Sequence, residues 1–394
     1  MGRWRPMRMI DVLRCLPRAG LALGFAFLAT ACGEPSGGTA TTVGGSFDAA
    51  QRVLELSGTA SEMGRAQGRL LGARIRALHT RWREALWRDA LGVAPDDDGP
   101  AAAALRSHIE DVVDAAAFRL PERVRQELDA LAAEVGMEPL ELIEVEVLRD
   151  ALRMRGVAPR LRGALAAFRV GGGGSDVRCR WVGPDAELLA RELVWVLRRP
   201  TDGRPATLSL AWPGALGGLV VAQDPLPVEE SPKGPLLLVA SADVEVPAPW
   251  RGFGHGLPFS VALRVAIEGG RTLRDVAGSL KGSVGHVALS VAMSGGDPLA
   301  VASTEAYLTP TKTVRVLDET SPPALLVGPE ADLEGEGQAA LDAASSQPAD
   351  KAWAAVVAAL GERADATALE VVLQRPGGLS LLSWGLVQAS SKTP

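Results

Sequence analysis

Three cysteines and four histidines are the residues of this chain best suited to nucleophilic, acid–base or metal chemistry. The histidines, His79, His108, His255 and His286, are far apart, and none forms an HxxxH or HExxH pair. A metal site therefore has no support in the spacing. No GxSxG elbow, P-loop or GxGxxG is present, so the serine-hydrolase and nucleotide-binding signatures are missing and no cofactor is implied. That leaves the cysteines, Cys15, Cys32 and Cys179.

Their surroundings separate them. Arg3, Arg5, Arg8, Arg14 and Arg18 precede an apolar run from Ala19 to Thr30, AGLALGFAFLAT, which is shorter than the roughly 20 residues a membrane span needs. A basic flank, a short apolar stretch and small residues predict a secretory leader over 1–31. Its end, Leu28-Ala29-Thr30-Ala31-Cys32-Gly33, resembles the lipobox of bacterial lipoproteins, which implies a lipid anchor on Cys32 and a place in the bacterial cell envelope. Residues 32–50, rich in Gly, Ser and Thr, are expected to form a flexible tether. Cys15 leaves with the leader, so Cys179 is the free thiol of the mature chain and an intramolecular disulfide is excluded.

Composition narrows the class. The chain has 394 residues, 47% hydrophobic and 22% charged, enough for a large core. Loss of the leader removes five Arg and one Asp, moving the formal charge from −6 to −10. Nucleic acid is not expected as a partner of so acidic a chain.

The elements that must position Cys179 follow from periodicity. A short strand begins at Val53 and a long helix follows, with Thr59 and Glu62 at capping-box spacing. Gly64, Gly68 and Gly72 form a stripe along it that admits another backbone. Further helices are predicted through Leu105 to Val113, over Glu122 to Val135 before Gly136, and from Pro139 through Leu148. Residues 50–165 thus read as a helical block. After Gly171 to Gly174 the pattern turns to strands: Arg178–Val182, Glu187–Leu197, Ala206–Ala211, Gly218–Ala222, Pro235–Ala240, His286–Met293, Leu299–Ser303 and Leu379–Gln388. Helices are expected at Ser260–Leu280 and Lys351–Glu362, and loops at 224–234 and 318–350. Helices followed by strands, helices and strands again imply an α+β fold.

Three stretches carry a family likeness. LSGTASEMGRAQGRLLGARI, with Gly58, Glu62, Gly64, Gln67, Gly68 and Ile75, resembles the first conserved block of the acyl-coenzyme A:6-aminopenicillanic acid acyltransferase-like family of N-terminal-nucleophile cysteine hydrolases. Residues 127–152 are similar to the helical pair that precedes the nucleophile in that family. Cys179 and the residues up to Arg191 and Trp195 resemble its nucleophile strand, turn and second strand, and weaker likenesses follow at Trp212-Pro213-Gly214, 257–282 and 286–306.

The resemblance implies an αββα four-layer sandwich preceded by an all-helical segment, with a helical chain over 51–178 and a sandwich over 179–394. It implies autocleavage between Arg178 and Cys179, a Cys179 nucleophile, and an amidohydrolase or acyltransferase acting on a small acylated amine or peptide-like amide. Arg191, His286 and Glu305 fall at positions that match functional residues of relatives. The sequence also departs from the pattern. Glu192 and Val194 stand where relatives carry Asn and Asp, Arg180 follows the nucleophile, and GGLVVAQDPLP replaces the turn after Gly214. The alternative is a catalytically degenerate member acting as a binding or structural envelope lipoprotein.

Overall fold

A computed structural model describes residues 7–8, 38–90, 92–94, 96–154, 162–170, 174–182, 191–223, 233–241, 257–269, 285–293, 299–304, 313–317, 324–328, 331–344, 347–359, 367–375 and 381–388. The remainder of the leader, Cys32 and Glu305 lie outside the described residues.

The chain opens with β1 (Met7–Arg8), β2 (Thr39–Thr42), β3 (Gly45–Asp48) and β4 (Val53–Gly58). Helix α1 (Ala60–Ala85) follows, and its capping box forms as the sequence predicts. The Glu62 amide donates to Thr59 Oγ1 at 3.3 Å, and the Thr59 amide donates back to Glu62 Oε2 at 2.7 Å. After a π-helical turn at Leu86–Ala90 come α2 (Pro100–Arg119), α3 (Glu122–Val135) and α4 (Pro139–Met154). Gly136 ends α3 in a left-handed conformation, φ 72°. The glycine stripe is where α1 and α3 meet: a Cβ on Gly64 would lie 2.2 Å from the Glu127 carbonyl oxygen, and one on Gly68 would lie 2.7 Å from the Glu134 Cβ.

The strands that follow are β5 (Arg162–Val170), β6 (Gly174–Val182), β7 (Val194–Pro200), β8 (Thr207–Ala211), β9 (Val220–Gln223) and β10 (Lys233–Ser241). Helix α5 (Phe259–Gly269) precedes β11 (Gly285–Met293), β12 (Leu299–Thr304), β13 (Thr313–Leu317) and β14 (Ala324–Gly328). The last elements are α6 (Ala331–Ala343), α7 (Ala349–Ala359), β15 (Thr367–Arg375) and β16 (Leu381–Gln388).

Two sheets form. The small one has the order β1-β16-β15-β6-β5-β14, and the large one β13-β12-β11-β10-β9-β8-β7-β4-β3-β2. Pairing is antiparallel except between β4 and β7, which run parallel with Val53 opposite Trp195. The sheets face each other through β5 and β6 against β10, β11 and β12. Helices α1 and α5 lie against the outer side of the large sheet, α3 and α4 pack on α1, and α6 lies against β14 and carries α7. The expected αββα order is the one observed.

The main core lies between the large sheet and its helices. Leu54, Leu56, Met63, Ile75, Trp82, Leu128, Leu131, Val194 and Trp195 are buried there, and Trp82 meets Trp212 edge to face at 4.9 Å. A smaller core joins α6 to α7 through Leu341, Ala352, Trp353 and Val356.

Several sequence expectations are corrected. Within the expected tether, 39–48 forms the β2–β3 hairpin, which borders the large sheet and buries Phe47. Thr-rich segments extend readily once β4 offers a free edge. Residues 162–170 are strand rather than the end of a helical block, because the Ala-rich run pairs along its whole length with β6. Of the expected strand at Glu187–Leu197, residues 194–197 belong to β7 and 191–192 are helical, while 187–190 lie outside the described residues. Segment 318–350 contains β14 and α6, and β13 and β15 are additional strands. Helix α5 occupies the first half of the expected 260–280 helix; residues 270–280 lie outside the described ones. No helix of the described residues is long and apolar enough to cross a membrane.

Candidate functional site

Cys179 lies in β6, an interior strand of the small sheet, opposite Leu165 of β5 and Val371 of β15. It sits inside the strand and does not open it, since β6 starts at Gly174. The preceding residue, Arg178, is buried and its guanidinium meets Asp350 Oδ1 on α7 at 2.5 Å. Arg178 therefore faces the helical layer outside the small sheet. Successive positions of a strand belong to opposite faces, so position 179 is on the face toward the large sheet.

The other candidates are spread over the large sheet. His286 is the second residue of β11, opposite Ser241 of β10 and Ser303 of β12. Arg191 is exposed, three residues before β7. The second strand of the expected nucleophile pair, β7, does not pair with β6; it lies between β4 and β8 in the other sheet. Arg191 and Cys179 thus belong to different layers.

The two departures in this stretch have definite roles. Glu192 is held from α1: Arg74 Nε donates to Oε2 at 2.7 Å and Arg81 Nη2 to Oε1 at 3.1 Å. Arg74 also donates to the Glu192 carbonyl at 3.3 Å. Val194 is fully buried in the core beneath the helices. Both residues are committed to the joint between α1 and the large sheet.

Among the described residues, the densest polar cluster involves side chains that the sequence analysis does not single out. Glu127 of α3 receives Arg198 Nε of β7 at 3.0 Å and Arg264 Nη2 of α5 at 2.5 Å, with all three side chains buried. Arg264 Nε reaches Glu268 Oε1 at 2.6 Å, and Glu268 also accepts from Arg123 at 3.0 Å and Arg204 at 2.9 Å. The same arginines grip the buried loop between β8 and β9: Arg198 donates to the Ala215 carbonyl at 3.1 Å and Arg264 to the Leu216 carbonyl at 2.8 Å. Glu146 of α4 completes the grip, accepting from the Leu216 amide at 3.1 Å and from the Ser260 hydroxyl. Gly217 has no room for a side chain, since a Cβ there would lie 2.1 Å from the Ser260 carbonyl carbon.

Burial opposes the charge on Glu127, but Arg264 and Arg198 outweigh it and hold the carboxyl below its ordinary range. Burial likewise resists ionisation of Glu268, and Arg264 and Arg123 overcome it, bringing the group down to about 2. The cluster therefore stays ionised through the neutral range and acts as a clamp joining α3, α4, α5 and β7. Two sequence signals point to it. Glu127 falls on the apolar face defined by Val124, Leu128 and Leu131, and Arg264 and Glu268 are a four-apart pair in an otherwise apolar helix.

Among the described residues, no group of three or more His, Cys, Asp or Glu side chains is arranged to hold a metal ion. His79 has a structural contact, its Nε2 meeting the Glu141 carbonyl and joining α1 to α4.

No protein-family model and no curated protein matches the chain. Among solved structures, an N-acylethanolamine-hydrolyzing acid amidase ortholog from Caenorhabditis elegans is similar over 54% of this chain and 93% of its own length, at 12% identity and a TM-score of 0.37.

Proposed function

We propose that this chain is an envelope lipoprotein of the N-terminal-nucleophile type, which hydrolyses or forms an amide bond in a small acylated amine or peptide-like substrate through Cys179. The observation that carries the reading is the position of Cys179 in an interior strand of one sheet of an αββα sandwich, on the face toward the other sheet. The family resemblance along the chain supports it independently.

In this reading the Cys179 thiol attacks the carbonyl carbon of Arg178. The Arg178–Cys179 C–N bond breaks, the thiol proton passes to the departing amine, and a thioester forms. Water then hydrolyses the thioester, leaving an Arg178 carboxylate and a free thiol beside a new α-amino group. With an ordinary pKa of about 7.7 to 8.0, that amine can take the thiol proton in each later turnover. An amide substrate is attacked in the same way, and hydrogen-bond donors to the tetrahedral oxyanion contribute roughly 3 to 4 kcal/mol each. In this reading His286 is such a donor and Glu305 a polar group of the site, whereas Arg191 stands exposed ahead of β7, in a different layer from Cys179. Cys32 carries the lipid anchor.

The test is the state of the purified full chain. Two fragments, one beginning at Cys179 and neither formed by Cys179→Ala, are expected. A single chain that stays intact over days, with Cys179 inert to a thiol probe, would overturn the reading.

A second reading is favoured by one observation. Glu192 is taken up by Arg74 and Arg81, and Val194 by the core, at two positions where relatives carry polar residues. In that reading the chain keeps the sandwich as a non-catalytic binding or structural lipoprotein, and the intact, inert chain is its expected result.

A further inference from the structure

The peptide bond between Arg178 and Cys179 is held on both sides by the small sheet. Arg178 lies opposite Ala166 of β5 and Val372 of β15, and Cys179 lies opposite Leu165 and Val371. The bond is planar by amide resonance, and a ladder on both sides holds the peptide unit in that orientation. Attack by the following thiol requires the opposite, a carbonyl that pyramidalises and a peptide that twists out of plane.

The side chain of Arg178 adds a third restraint from a different layer. It is 8% exposed, and its guanidinium meets Asp350 in the first turn of α7. A carboxylate at a helix N-terminus is favoured by the helix dipole, so α7 presents a stable negative charge to a nearly buried cation. Helix α7 is itself anchored to α6, and α6 to β14, so the contact ties residue 178 to a packed support. Asp350 is 79% exposed, so it can be replaced with little disturbance to a core.

We infer that Asp350, acting through Arg178, is a brake on cleavage at Arg178–Cys179, holding the bond in its pleated, unreactive conformation until the contact is released. The inference rests on the cleavage reading proposed above. Asp350 is a positioning residue: it acts on the reacting bond only through Arg178. Neutralising it loosens residue 178 and lets the peptide reach the twisted geometry more often.

Two measurements on the full-length chain test this. In a Cys179→Ala background, hydrogen exchange over residues 174–182 should be faster with Asp350→Asn than with Asp350 in place, and Asp350→Glu should restore protection. In the chain that retains Cys179, appearance of a new N-terminal cysteine, captured by a cyanobenzothiazole probe, should be about fivefold faster with Asp350→Asn, the scale of a partly exposed ion pair. It should return to the wild-type rate with Asp350→Glu. Cleavage that is unchanged or slower in Asp350→Asn, or unaltered exchange, would overturn the brake. If no chain, wild type or variant, ever yields an N-terminal cysteine while exchange still accelerates, the cleavage reading itself fails and the brake falls with it.

Discussion

Glu127 and Arg198 meet between α3 and β7, Nε to Oε1 at 3.0 Å, with neither side chain reaching solvent. Arg264 binds the other oxygen of the same carboxylate from α5, so one Glu holds two buried cations. Removing one partner of a buried ion pair costs about 3–5 kcal/mol, because the charge left behind stays out of water. Glu127→Leu should therefore lower stability by about that amount in urea denaturation. Glu127→Leu combined with Arg198→Met should recover part of the loss. If the double variant loses the full sum of the two single changes, the pair is not coupled as the geometry indicates.

Acid stability should depend on Glu268. Its folded-state pKa is about 2 against an ordinary 4.5, so the unfolded chain takes up its proton first as pH falls. The stabilisation is complete above about pH 4.5 and is lost progressively between about 4.5 and about 2, amounting to about 3 kcal/mol at most. Glu268→Gln should flatten that part of the profile of denaturation midpoint against pH. A wild-type and a variant profile of the same slope from pH 5 to about 2 would refute the assignment.

The contact between α1 and α3 predicts a contrast between two glycines. At Gly64 a Cβ would collide with the Glu127 backbone, so Gly64→Ala must push the helices apart and should cost about 3 kcal/mol or more. At Gly136 the surroundings are open and only the positive φ resists, so Gly136→Ala should cost about 1–2 kcal/mol. Thermal unfolding of both variants checks the order; equal losses would mean that α1 and α3 are less closely packed than described.

The proposed anchor is tested separately from the proposed chemistry. Cys32→Ala should move the protein from the membrane to the soluble fraction, read by fractionation of cells that express the full chain. Continued membrane association of the variant would rule out lipidation at Cys32 as the anchor.

Much of the helical layer was legible from local pattern. Thr59 with Glu62, Pro100, Gly136 and Pro139 act within a few residues of themselves, and each marks a helix boundary in the structure. Strand existence was partly legible: β8, β9, β10, β11, β12 and β16 fall within two residues of expectation at each end. Their partners were not. The Ala-rich run at 162–170 has no period that separates strand from helix, and pairing with β6 decides it. Likewise nothing local in 39–48 reveals that β4 has an edge for it to join.

For the candidate site the division is similar. The sequence by itself determined that Cys179 follows Arg178, and that Glu192 and Val194 stand where the family resemblance leads one to expect polar groups. These are matters of identity and order along the chain. Only the tertiary structure decided that β6 and β7 separate into different sheets, that Glu192 is held by α1, and that Arg178 meets Asp350 across 172 residues. The buried Glu127, Arg198 and Arg264 cluster belongs to the same class, since its members come from α3, β7 and α5. Such contacts depend on which elements stack on which, and stacking is settled by burial summed over the whole core, a quantity that no short segment contains.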